Sequence, residues 1–184
     1  SELSITGVID KGGNFNTHLG TPRIRPGEHG LEYVVAFADQ TEDGRDIAIT
    51  HVDIDNLVRA KAAIYAGFSV LADRVGVPLE TAEQILIGGS FGKYINVEKA
   101  IQIGLLPDLP WDRFQFLGNT SVKGAYRALL DRTERDRIAG IAARMTYIEL
   151  SADNTFYEAF TSALFLPHTD LSKFPSVEGA LLKA

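Results

Sequence analysis

The residues from Gln84 to Leu106 constrain the fold more than any other stretch. Ile85, Leu86 and Ile87 form the short apolar run typical of a fully buried strand, and it breaks off at Gly88-Gly89-Ser90-Phe91-Gly92. Asn96 then offers a helix N-cap. Val97, Ala100, Ile101 and Ile103 make the inner side of a short helix that stops at Gly104. A buried strand, a glycine turn and a helix follow in that order, which is the repeating unit of α/β folds.

Glycines at the carboxyl end of a strand open backbone conformations closed to other residues and let a ligand reach bare main chain. A nucleotide contact at Gly88, Gly89, Ser90 and Gly92 is one reading; a tight turn that only redirects the chain is the other. No Gly-Lys-Ser/Thr follows at P-loop spacing, and the dinucleotide fingerprint is absent. A second unit of the same kind lies downstream. Arg113 to Leu117 reads as a strand, Gly118-Asn119-Thr120-Ser121 as a small polar turn, and Val122 to Leu130 as a helix. Helix starts favour anions through their free N–H groups, and two such turns on successive parallel strands would share one sheet edge. Gly118, Asn119 and Thr120 therefore join the candidate site, with a plain helix cap as the alternative.

With 184 residues, 45% of them hydrophobic, the chain can bury a proper core. Its formal charge of −6 and lack of a dense Lys/Arg run argue against a nucleic-acid surface. The absence of cysteine excludes disulfides and cysteine-ligated clusters within this sequence. His18, His29, His51 and His168 show no ligand spacing, so no metal is expected. Without a membrane-length apolar run or a signal-peptide pattern, no membrane association and a cytoplasmic location are expected. The chain starts Ser1-Glu2-Leu3 without an initiator Met, which suggests a processed or excised piece.

Residues 1–30 read as an irregular segment, 31–165 as the main lobe and 166–184 as a tail. Glu32 to Ala38 and Asp46 to Ile49 flank the turn Thr41-Glu42-Asp43-Gly44 and form an antiparallel hairpin. Thr50 with Asp53 resembles a capping box and opens the longest helix, to about Val75. Ile54, Leu57, Val58, Ile64, Tyr65, Phe68, Ala72 and Val75 recur at helical spacing along it. Lys61 interrupts that stripe. It must snorkel, pair, or face an anionic ligand in a cleft beside the glycine turn. Further on, Thr133 with Asp136 caps a helix, the charges from Arg132 to Arg137 form a solvated face, Thr146 to Leu150 reads as a strand, and Ser151 opens a last helix. The tail from Lys173 has weak periodicity and is expected to pack poorly or to serve a partner.

An N-terminal antiparallel hairpin followed by α-β-α-β-α and extra C-terminal helices resembles a ribonuclease-H-like lobe with a mixed sheet. Actin, sugar kinases and DnaK-type chaperones share that lobe, and their nucleotide lies between two of them. A closer resemblance is to the C-terminal actin-like ATPase region of the reductive activators of corrinoid proteins. It is carried by Ile49-Thr50 with Asp53-Ile54, Ala60-Lys61-Ala62-Ala63-Ile64, Gly88-Gly89-Ser90-Phe91-Gly92 with Tyr94, Ile103-Gly104-Leu105-Leu106-Pro107, Gly118-Asn119 with Gly124-Ala125, and Tyr147-Ile148-Glu149-Leu150 with Phe156 and Phe160. The matches run from about Gly7 to Phe165.

That resemblance implies an iron–sulfur ATPase that couples ATP hydrolysis to reduction of a Co(II) corrinoid protein to Co(I) for methyl transfer. ATP or ADP with Mg²⁺ would lie between this lobe and a companion lobe, and the cluster would sit in a ferredoxin-like N-terminal domain. Neither of those regions, nor the family's Gly-Cys-Gly-Ser-Gly segment, is present in this sequence. The implied partners are the corrinoid protein, the companion lobe and the ferredoxin-like domain, with a homodimer allowed. On this sequence alone the piece is expected to be inactive, and no catalytic base is assigned. Two alternatives stand beside it: a dimerisation or corrinoid-protein docking module with a degenerate nucleotide site, and one lobe of an unrelated kinase of the actin-like superfamily.

Overall fold

The computed structural model describes residues 1–152 and 154–181. A single helical turn, α1 (Glu2–Ile5), leads into β1 (Ile24–Gly27), β2 (Gly30–Ala36) and β3 (Ile47–Thr50), an antiparallel sheet of order β1-β2-β3. The expected hairpin is β2 and β3. β1 was hidden in the stretch read as irregular: Arg25-Pro26-Gly27 carries little β-propensity, and Pro26 is tolerated because β1 is an edge strand.

Helix α2 (His51–Val75) starts at the expected capping box. The Asp53 amide donates to Thr50 Oγ1 at 3.1 Å and the Thr50 amide donates to Asp53 Oδ2 at 2.9 Å. Asp53 is thus a cap, and its carboxyl is held below its usual range by the Thr50 side-chain hydrogen bond first and the Thr50 amide second. The buried stripe is Ile54, Val58, Lys61, Ala62, Tyr65, Ala66 and Val70. Leu57, Ile64 and Val75, expected on it, flank the contact face and are exposed.

The parallel pair β4 (Ile85–Gly88) and β5 (Phe114–Gly118) follows, with α3 (Val97–Gln102) in the crossover. The antiparallel and parallel parts of the expected mixed sheet are two separate ladders here. Next come α4 (Thr120–Leu130) and α5 (Arg132–Ala142), then α6 (Asn154–Ser162) and α7 (Pro175–Leu181). Asp131, not Thr133, caps α5: its Oδ1 accepts the Thr133 amide at 2.8 Å. Thr146 to Leu150 is not a strand: it pairs with neither sheet, and Tyr147 stands in solvent.

α2 runs between two cores. Its amino-terminal half packs Ile54 and Val58 with Ile9, Phe15 and Leu166, against Tyr33 and Ile49 of the sheet. Its middle packs Ala62 and Tyr65 with Ala100, Ile101, Phe114, Ala163, Phe174 and Val177. The last two belong to the tail expected to pack poorly. Phe174 and Val177 are fully buried, two large anchors in a stretch too short to show a period.

Candidate functional site

β4 and β5 run in register from Ile85 opposite Phe114 to Gly88 opposite Gly118, with an irregularity after Ile87. Parallel strands that end together deliver their following turns to one edge, and here the turns are bonded to each other. The Gly89 amide donates to the Gly118 carbonyl at 2.7 Å. Gly89 has φ +106° and Gly118 φ +66°, both in the left-handed region that favours glycine, and a Cβ on either would meet nothing within 4 Å. The two corners therefore present open main chain. Gly88 packs against the second turn, with Thr120 Oγ1 3.0 Å from where its Cβ would be.

Ser90, Asn119 and Thr120 are exposed around these corners. Asn119 Oδ1 accepts the Val122 amide at 3.0 Å and so caps α4, leaving the first amides of that helix facing outward. Lys123 Nζ donates to the Leu117 carbonyl at 2.5 Å. The result is an open shelf with backbone donors and, among the described residues, no buried acid or base. It can hold a flat or anionic group, and none of the described side chains around it is placed as a general base. An open apolar hollow of about 370 Å³ lies elsewhere, lined by Leu3, Ile9, Ile49, Leu57 and Ile103.

Two expected members of the site do not belong on the shelf. Gly92 is buried, and a Cβ there would lie 3.0 Å from Ile87 Cγ2 and 3.4 Å from Phe116 Cδ1, so its smallness serves packing beneath the turn. Lys61 does not reach into a cleft. It has 0% exposure, and its ammonium donates to the main-chain carbonyls of Phe165 and of Pro167, the latter at 2.7 Å. Lys61 thus neither snorkels, nor pairs with an acid among the described residues, nor faces a ligand cleft: carbonyls of the segment that follows α6 accept its N–H groups. Burial pushes the Lys61 amine down to about 7. Among the described residues no group of three His, Cys, Asp or Glu side chains is placed to hold a metal, and no helix is long and apolar enough to cross a membrane.

The arrangement has counterparts among known proteins. A family model described as the C-terminal domain of RACo, the ASKHA domain, matches residues 1–178. The corrinoid activation enzyme RamQ of Eubacterium limosum is 35% identical over 161 residues, covering 84% of this chain and 27% of that protein. The Co(II) methylated amine-specific corrinoid protein reductase of Methanosarcina barkeri is 30% identical over 115 residues, covering 61% of this chain and 21% of that protein. A solved structure of a reductive activator for corrinoid, iron–sulfur protein superposes with a TM-score of 0.86 at 48% identity, covering 95% of this chain and 28% of that one. The chain thus spans about a quarter of the length of the relatives it matches.

Proposed function

This chain belongs to the family of C-terminal ASKHA domains of RACo, and from that premise we propose that it forms one wall of an adenine-nucleotide cleft in an ATP-dependent reductive activator. Gly88, Gly89 and Ser90, with Gly118, Asn119 and Thr120, make the adenosine-side floor, and a companion lobe supplies most contacts to the phosphates and Mg²⁺. In the intact protein, lobe closure on ATP promotes delivery of an electron from an iron–sulfur domain to a Co(II) corrinoid protein, giving the Co(I) state needed for methyl transfer. One observation carries this reading: two left-handed glycine corners joined by the 2.7 Å bond from Gly89 to Gly118, with open space above both.

The test is equilibrium binding of ATP and ADP by the intact protein, wild type against Gly89→Arg. A bulky side chain rooted in the floor should weaken binding at least tenfold. Gly44→Arg is the control, because Gly44 also has positive φ and free space but lies in the β2–β3 connection; it should leave affinity unchanged. Equal affinities for wild type and Gly89→Arg would remove the nucleotide role from this turn.

A second reading, a docking or dimerisation module with a degenerate site, draws support from the exposed Val122, Tyr126, Leu129 and Leu130 of α4. Wild-type protein that binds no nucleotide yet pairs with itself or with the corrinoid protein would favour it.

A further inference from the structure

The Pro167 carbonyl has two close neighbours. Lys61 Nζ, from the middle of α2, donates to it at 2.7 Å. Gly104, which ends α3 with φ +74°, also lies against it; a Cβ on Gly104 would be 2.0 Å from the same oxygen. Only glycine allows that approach. The second acceptor of Lys61 is the Phe165 carbonyl, two residues earlier in the same strap. Among the described residues no carboxylate pairs with Lys61, and its side chain is fully buried. A buried amine is costly unless its N–H groups find acceptors, so these carbonyls set where the lysine sits and the lysine sets where they sit.

The geometry points to Lys61 as a positioning residue: a buried hydrogen-bonding tie that fastens the strap of residues 163–177 to α2 and, through Pro167, seats the end of α3. The tie matters for the proposed nucleotide floor, on which this inference rests for its functional half, because α3 closes the unit that begins at β4 and the Gly88–Gly92 turn. The strap also fastens to the opposite core, where the Leu166 amide donates to the Lys11 carbonyl at 2.8 Å. Loss of the tie should therefore be felt around residues 165–167, at the Leu166–Lys11 bond on one side and at the end of α3 on the other, with the hydrogen-bonded ladder of β2 and β3 kept.

Hydrogen exchange of the nucleotide-free intact protein decides the structural half, with Lys61→Met as the main variant and Gly104→Ala as a second route to the same carbonyl. Expected is at least tenfold faster exchange in both variants at the Leu166 and Thr169 amides and at Gly104 and Leu105, with β2 and β3 unchanged. Thr50→Ala, which removes the cap of α2, serves as the comparison for general loosening. Exchange that rises evenly across the molecule, as expected for Thr50→Ala, or that does not rise in the strap, overturns the tie. The functional half is read by ATP affinity in Lys61→Met, expected to fall several-fold; an unchanged affinity in a protein whose strap has loosened overturns the link to the floor. Wild-type protein that binds no nucleotide would count against the proposed function alone, since the exchange result does not depend on it.

Discussion

Helix α2 and the α4–α5 pair follow the same amphipathic pattern and meet opposite fates. α2 buries seven of its 25 residues, flanked by both cores. α4 and α5, eleven residues each, bury none, and α4 leaves Val122, Tyr126, Leu129 and Leu130 in solvent along one face. An isolated helix shorter than about 12–15 residues is marginal in water, so packing, not propensity, supplies most of a helix's stability. Apolar spacing shows that a face wants cover; it does not show where the cover is. The candidate floor lies at the boundary between these regimes. On one side it is backed by β4, the packed Gly92 and α3; on the other it runs through Asn119 directly into α4. A ligand on the two corners would touch the firm and the soft part of the molecule together.

The comparison is broken most directly from the α2 side. Phe174 is fully buried, with its ring 5.4 Å from Tyr65 and 6.1 Å from His168. Phe174→Ala should lower the unfolding free energy by about 3–5 kcal/mol in urea titration, the usual range for emptying a large aromatic site. A loss under about 1 kcal/mol would mean that the strap is not part of the core in solution and that α2 is less well covered than it looks.

The next effect is pH-dependent and belongs to Lys61. Burial lowers its amine from an ordinary 10.5 to about 7. Between those values the unfolded chain binds the proton that the folded chain has released, so this group's contribution to stability rises with pH across the window and levels off outside it. Tyr65, pushed up to about 12 chiefly by burial, and His168, pushed below its ordinary value chiefly by burial, titrate outside the range from pH 7.5 to 9.5. The terminal amine of Ser1, also lowered chiefly by burial, is common to both proteins compared. Wild type minus Lys61→Met stability should therefore climb over that range. A flat difference would show that the two carbonyls hold the ammonium charged throughout.

The elements that could be read from the sequence are those whose signals are local. The Thr50–Asp53 capping box, the Asn96 and Asn119 caps and the glycine stops at Gly76 and Gly104 are each written within four residues, and each appears as expected. The adjacency of the two turns was also legible, because successive parallel strands leave little choice of edge. What could not be read depends on partners far along the chain. Lys61 finds its acceptors more than 100 residues away. Gly92 reads as a ligand glycine because the fold of the turn back over Ile87, and the approach of Phe116 from β5, are tertiary and leave no mark in the local sequence. Thr146 to Leu150 has strand-like residues but pairs with no strand, while β1 pairs with β2 on few strand-like residues.

The smallest effect comes from the soft side and sharpens the comparison most. Leu129 is 74% exposed on α4, so Leu129→Gln should change the unfolding free energy by no more than about 0.5 kcal/mol, as for other surface sites. Backbone amides of α4 and α5 should exchange far faster than those at the centre of α2, since opening the pair uncovers little new apolar surface. Suppose instead that Leu129→Gln destabilises the intact protein by about 1.5–3 kcal/mol, the value of a buried leucine. The stripe would then be covered by another part of the assembly, and α4 would join α2 as a packed helix. The soft edge of the floor would in that case become firm on assembly, so that whatever covers α4 could also govern how tightly the two glycine corners hold a nucleotide.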